Sequence, residues 1–242
     1  MKKAEINLLD HYKKLYFYAF NRFKDDNYQK MREYFSQIVI LEIEEYLSVN
    51  NKKLLDVGGA RGEFCKVFYE KRNCDAVNLD PNPRKYIWPK TYVGFADNMP
   101  FSENGFDIVL CRGVLEHIPS EKQQISVNEM YRVIKKGGIC YIMIPPWYNP
   151  HAGHQFKPFH VLGFKAAKCL RELFFKNKIS ANSFEEARLY SITFKKMKKM
   201  ILKSGFIILA TRDTHFRLHF LTKIPLLREV MIPSIAFILT KR

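Results

Sequence analysis

The stretch Leu54-Leu55-Asp56-Val57-Gly58-Gly59-Ala60-Arg61-Gly62-Glu63 passes from an apolar run through a glycine-rich loop to an acid that opens a helical pattern. Glycine permits a tight turn and lets the backbone approach a ligand closely. A strand-to-helix turn of this kind lies at the carboxyl ends of the strands, where open α/β sheets bind ligands. The loop does not suit phosphate. A dinucleotide fingerprint beginning at Gly58 requires glycines where the chain has Ala60 and Glu63, and the closing G-K-[ST] of a P-loop is absent. Glu63 stands where a pyrophosphate would rest, and a carboxylate there repels it.

Outward from the loop, short β-type runs alternate with helical spacing. Lys53 to Val57, Cys74 to Leu79, Thr91 to Ala96, Phe106 to Leu110 and Ile139 to Ile144 are expected strands, the last almost wholly apolar, as in a strand buried on both faces. Glu121 to Ile134 has helical spacing, and Lys135-Lys136-Gly137-Gly138 reads as a cap and turn. Gly205 to Thr211 and Ser234 to Thr240 are two final strands. Strands alternating with helices predict an α/β, doubly wound, Rossmann-like and mostly parallel seven-stranded sheet with helices on both faces. The chain reads as one domain in four parts. Residues 1–50 form an N-terminal helical lid and 51–144 a ligand-binding core. Residues 145–191 are an insertion after the fifth strand, and 192–242 hold a final helix and strands.

Acids mark the same rim. Besides Asp56 and Glu63, Asp80 ends the second strand and Asp97 follows the third. Four acids at the strand ends of a basic chain fit a cationic, ribose-bearing ligand. S-adenosylmethionine carries a sulfonium, an ammonium and a ribose diol, and a carboxylate accepts hydrogen bonds from both ribose hydroxyls.

With these pieces in order, the segment from about Lys53 to Ile144 resembles the class I S-adenosylmethionine-dependent methyltransferases. Asp56-Val57-Gly58-Gly59-Ala60-Arg61-Gly62 matches the family's D-x-G-x-G-x-G motif, with Ala60 in place of the middle glycine. Val77-Asn78-Leu79-Asp80 matches the strand ending in the ribose-binding acid, and Ala96-Asp97-Asn98-Met99-Pro100-Phe101 the adenine-contacting segment. Phe106-Asp107-Ile108-Val109, Val114-Leu115-Glu116-His117-Ile118 and the run from Met130 to Gly138 match the fourth strand, its exit and the approach to the fifth. The resemblance implies that Asp56, Gly58, Gly59, Ala60, Gly62, Asp80, Pro81, Asp97, Asn98, Met99, Arg112 and His117 bind S-adenosylmethionine, which leaves as S-adenosylhomocysteine. Simpler structural roles stand beside these. Gly58 and Gly62 suit a bare turn, Asp97 an Asx-turn, and Glu116 and His117 an architectural role.

The 242 residues are 47% hydrophobic and 26% charged, which excludes disorder, collagen and coiled coil. Lys and Arg number 40 against 24 Asp and Glu, a net charge of +16 that attracts anionic partners without choosing among them. Met1-Lys2-Lys3 opens no signal-peptide core, and no apolar run approaches the ~20 residues of a membrane helix. Cys65, Cys74, Cys111, Cys140 and Cys169 form no C-x-x-C pair, so no disulfide framework or zinc site is expected. A reduced cytoplasmic protein is the expectation.

The insertion opens Trp147-Tyr148-Asn149-Pro150-His151-Ala152-Gly153-His154-Gln155-Phe156-Lys157-Pro158-Phe159-His160. Aromatic walls with His and Gln handles suit a polyol or glycan-linked acceptor, and the stretch resembles a branch of the family associated with surface-polysaccharide biosynthesis. Pro145-Pro146-Trp147 follows the fifth strand, not the fourth, and so does not match the amino-methylating motif of nucleic-acid enzymes. If the acceptor is a hydroxyl, a base must take its proton; His154 and His160 are the candidates. No carboxylate lies within 147–160 to complete a metal site, so no metal is expected. The alternatives are an RNA methyltransferase, a cofactor-binding protein without catalysis, or a membrane-surface protein touching lipid through Phe220 to Arg228.

Overall fold

In a computed structural model, described over residues 6–21, 23–24, 26–82, 88–176 and 178–242, the first strand after the helical N-terminus is β1 (Lys53–Val57). Its last four residues are buried, because helices cover both faces of the sheet. The remaining strands are β2 (Asp75–Asp80), β3 (Thr91–Val93), β4 (Phe106–Arg112), β5 (Ile134–Ile144), β6 (Ile207–Asp213) and β7 (Ile235–Thr240). They form one seven-stranded sheet in the order β3-β2-β1-β4-β5-β7-β6. The first five are parallel, and β7 runs antiparallel to both β5 and β6. The order reverses between β1 and β4, which sets the ligand crevice at the carboxyl end of β1.

Each face carries its own core. Leu55, Val57, Val109, Cys111, Cys140 and Ile142 pack on one side with α4 (Ser120–Val133) and α6 (Phe194–Lys203). Leu54, Ile108, Leu110 and Tyr141 pack on the other with α2 (Asn27–Glu44) and α3 (Glu63–Arg72). The period of two along each strand sends alternate side chains to opposite layers. This corrects the lid expected over residues 1–50. Val39, Ile40 and Ile43 make α2 a core helix, and only α1 (Leu8–Asn21) is largely exposed.

Two boundaries also move. Lys135 to Gly138 does not end a helix before β5 but lies within the strand. The pairing jumps from Phe106–Ile134 to Ile108–Ile139, and the four residues between are accommodated by Gly137 at φ +72°. Of the five cysteines, four are buried and Cys169 is exposed, on α5 (Phe164–Phe175). The short α7 (Pro225–Val230) buries no residue, which is why periodicity did not reveal it. Among the described residues no helix is long and apolar enough to cross a membrane.

A buried polar junction joins α2 to the sheet. Tyr141 Oη donates to Glu42 Oε2 at 2.8 Å, and Arg217 donates to Glu42 Oε1 at 2.8 Å. Burial pushes the Glu42 carboxyl up, and Arg217 opposes this. Glu42→Ala should therefore lower unfolding free energy by about 3 kcal/mol, because it strands Arg217. Urea denaturation checks this, and Glu42→Gln, which keeps both contacts, should cost less.

Candidate active site

The loop after β1 turns through three left-handed residues, Gly58 (φ +70°), Ala60 (φ +54°) and Gly62 (φ +85°). Gly58 N–H donates to Leu79 O at 2.7 Å, and Ala60 N–H donates to Asp80 Oδ2 at 2.8 Å. A side chain at Gly58 would strike Val114, and one at Gly59 would strike Asn78 and Asp56. Ala60 accepts a strained backbone, at a cost of about 1 kcal/mol, to reach the Asp80 carboxylate.

Asp80 uses both oxygens, because Asn82 N–H also donates to its Oδ1 at 2.9 Å. A carboxylate oxygen has a second lone pair, so these bonds orient the group and leave acceptor capacity. Asp80 ends β2 beside a cavity of about 360 Å³, within the ordinary range for small-ligand sites. Val57, Gly58, Leu79 and Pro81 form its floor, Phe95, Ala96 and Asp97 one wall, and Val114, His117 and Ile118 another; Lys122, Arg188 and Tyr190 close the rim.

Of the residues proposed from sequence, Gly58, Pro81, Asp97 and His117 line this cavity. Asp97 is ion-paired with Lys122 at 2.8 Å, a partner the sequence did not reveal. Asn98 and Met99 are corrections. Asn98 is exposed, in a turn bonded to Phe95 O. Met99 points into the core, with its N–H on Glu129 and its carbonyl held by Arg132.

Arg112 also lies away from the cavity wall. Its guanidinium stacks 3.6 Å from the centre of the Phe64 ring, on the α3 side of the sheet. There it joins Asp56, Arg32 and Glu63 beneath the glycine loop, with Arg32 3.7 Å from Glu63. Burial pushes the Asp56 carboxyl up to about 6, against the pull of Arg112 and Arg32. Burial lowers the Arg112 guanidinium to about 10, and the nearby Arg32 adds to this. Asp56 Oδ2, Glu63 Oε2, Asn78 Oδ1, Arg32 Nε and Arg112 Nε are buried without hydrogen-bond partners. Unsatisfied groups of both signs, under a loop that leaves no room for a Cβ at Gly58 or Gly59, fit a ligand with a zwitterionic end and a cationic centre, as S-adenosylmethionine has.

The acceptor side differs from expectation. His160 is 1% exposed, its Nε2 is bonded to Trp147 O at 2.7 Å, and Gly153 packs directly against its ring. It anchors the insertion and is withdrawn as a general base. His154 is exposed at the rim and stacks edge-on to His117, with centroids 4.7 Å apart. The protein around its ring strips hydration and, with His117 nearby, lowers its pKa to about 4, so the imidazole is neutral at pH 7. Glu116, on the same turn as His117, is 3% exposed, and burial raises its carboxyl to about 8. Gln123 pins this turn through bonds to Leu115 O and Ile118 O at 2.9 and 3.2 Å. The insertion closes on it through Tyr190 N–H to Glu116 O and His117 Nδ1 to Arg188 O, both 2.8 Å.

A reversed doubly wound sheet, a left-handed glycine loop and an acid at the end of β2 define an S-adenosylmethionine-dependent methyltransferase of class I. Residues 28–189 match the family described as "Methyltransferase domain", and the chain belongs to it. An uncharacterized methyltransferase of Mycobacteroides abscessus is 25% identical over 211 residues, covering 82% of this chain and 80% of its own. Among solved structures, the chain is similar to an S-adenosylmethionine-dependent methyltransferase from Archaeoglobus fulgidus, with a TM-score of 0.56 and 14% identity. That match covers 88% of this chain and 99% of the other. A methyltransferase of the same dependence from Methanosarcina mazei gives 0.54 and 17%, covering 83% and 96%. These two likenesses concern the fold.

Two outcomes are expected. Gly58→Val should abolish S-adenosylmethionine binding in calorimetry while the circular dichroism of the fold is retained, because the branched side chain meets Val114 and resists φ +70°. Glu116→Gln should raise the thermal midpoint increasingly between pH 5 and 8. The unfolded chain releases the Glu116 proton near 4.5 and the folded chain near 8, so this group's stability is full below about 4.5 and is lost as pH rises to about 8.

Proposed function

We infer that this methyltransferase transfers the methyl group to a hydroxyl of a sugar or glycan-linked small molecule. The observation that carries this reading is His117 in the wall of a largely apolar cavity, with the buried Glu116 and the exposed His154 clustered beside it. Aromatic and aliphatic surfaces such as Phe95, Tyr190 and Val114 suit the faces of a sugar ring, and the imidazoles suit its hydroxyls. When bound, S-adenosylmethionine supplies a sulfonium methyl whose thioether leaves without a proton. Gly58, Asp80 and Pro81 would hold it against the floor, with Asp97 at the wall and Asp56 below the loop. The chain's remaining task is to align the acceptor and exclude water.

His154 is the base that suits a hydroxyl acceptor, now without His160 beside it. Its neutral imidazole can accept a proton across the physiological range, so turnover should not rise through a transition near 6.5. His154→Ala should lower turnover about 10²–10⁴-fold and leave S-adenosylmethionine affinity nearly unchanged in calorimetry. The functional test is transfer of labelled methyl from S-adenosylmethionine to fractionated cell polysaccharides, glycolipids and RNA, with S-adenosylhomocysteine measured alongside. Label in the glycan or glycolipid fraction is expected. Label confined to RNA, with binding that collapses as salt rises, would assign the +16 charge to phosphate recognition and overturn the sugar reading.

A further inference from the structure

One group of metal-ligating side chains comes together among the described residues. Glu116, His117 and His154 each offer a ligand atom, and these atoms lie within 4.8 Å of one another. We propose that Glu116, His117 and His154 form a binding site for a divalent transition-metal cation at the rim of the cofactor cavity, where the cation grips the acceptor oxygen. That grip rests on the hydroxyl-acceptor reading, whereas the cation site itself does not; with the cation bound, His154 serves as a ligand in place of a base, and the acceptor proton leaves to water.

The donor set comes first. Two imidazoles and one carboxylate on one side of a small volume leave open coordination positions for a substrate oxygen, and imidazole nitrogen favours first-row transition ions over magnesium or calcium. The carboxylate was invisible within 147–160 because it comes from the turn after β4, 38 residues before His154.

The state of Glu116 is the second observation. It is 3% exposed, and its Oε2 has no hydrogen-bond partner. Burying an acid without a partner is costly, and the main chain around it is already committed, with Glu116 O taken by Tyr190 N–H. A cation held jointly with the two imidazoles satisfies the orphaned oxygen.

His117 supplies the third. With Nδ1–H donated to Arg188 O at 2.8 Å, the tautomer that leaves the other ring nitrogen its lone pair is fixed. Metal-bound histidines commonly show this outer bond to a carbonyl, which also holds the ring plane. Ligand atoms about 2.1 Å from one ion lie at most about 4.2 Å apart, so the group needs only a small side-chain rotation to close. His154 can make it, being exposed on a short turn.

The placement gives the site its use. His117 also lines the cavity that holds Gly58 and Pro81. A cation here would polarise an acceptor hydroxyl facing the sulfonium methyl. As the new oxygen–carbon bond forms and the sulfur–carbon bond breaks, sulfur keeps the bonding pair and the hydroxyl proton passes to water.

The test uses the full chain, stripped with a chelator and titrated with CoCl2, with visible absorption and calorimetry as readouts that need no turnover. A single saturating step is expected, with the visible band of cobalt bound to nitrogen and oxygen. His154→Ala and Glu116→Gln should each weaken it at least ~10-fold, and His151→Ala should not. No saturable binding, or binding unaltered by both cluster variants, overturns the site. The link to acceptor chemistry is separable. If the chelated enzyme methylates a hydroxyl acceptor at the unchanged rate, the grip is overturned while the hydroxyl reading stands. If cobalt binds as expected but no hydroxyl acceptor is found, the site stands and the hydroxyl reading falls.

Discussion

The Asp80 carboxylate fixes the geometry on which the cofactor side depends. One of its oxygens receives Ala60 N–H from the loop after β1, and the other receives Asn82 N–H from the turn after β2. Two adjacent parallel strands thus end on a single anion, and the loop is registered against the floor of the cavity before any ligand arrives. This explains why a non-glycine residue is tolerated at φ +54°. A charge-assisted bond contributes about 1.5–3 kcal/mol, comparable to or larger than the strain of one left-handed alanine.

Beneath the same loop the sheet carries an uncommon load for its interior. Asp56 and Arg112 point to the α3 side because they share the parity of Leu54 and Leu110 on adjoining strands. Arg112 lays its guanidinium on Phe64 and stands near Asp56 as its counter-charge, while Arg32 reaches in from α2. Charges buried in this way are weak contributors to stability when compared with apolar packing. Their concentration beneath the loop, with five buried polar atoms left without hydrogen-bond partners, argues that the region is arranged for a ligand at some expense to the fold.

Periodicity and glycine chemistry made the sheet legible. The strand segments read from the chain fall on observed strands, most clearly in the central ones, where burial on both faces leaves continuous apolar runs; the edge strands β3 and β6 are largely unburied and rest on weaker patterns. The glycine loop was legible for the same local reason. What sequence reading missed depends on distance or on which way a side chain turns. Met99 sits in a segment that matches the adenine wall, yet its side chain completes the core while Phe95, four residues earlier, faces the cavity. Along the chain His154 and His160 are both candidates, and Gly153 before the first and Pro158-Phe159 before the second are the local hints that favour His154. Packing separates them, since one stands at the rim and the other is locked onto Trp147 O. Lys122 beside Asp97, and Glu116 beside His154, are pairings made by tertiary structure, and no pattern of spacing records them.

The closure of the insertion has a consequence for how this enzyme changes over generations. Arg188 contributes a carbonyl and Tyr190 an N–H to the turn carrying Glu116 and His117. Both are main-chain groups, so the latch uses neither side chain; it asks only that position 188 tolerate the left-handed turn at φ +50° and that position 190 keep its N–H. Mutation can therefore reshape the rim of the cavity at 188 and 190 while the cover stays fastened. Selectivity for the acceptor is free to drift on a fastening that the genetic code barely touches, and descendants of this chain can acquire new acceptors without rebuilding the half that holds the methyl donor.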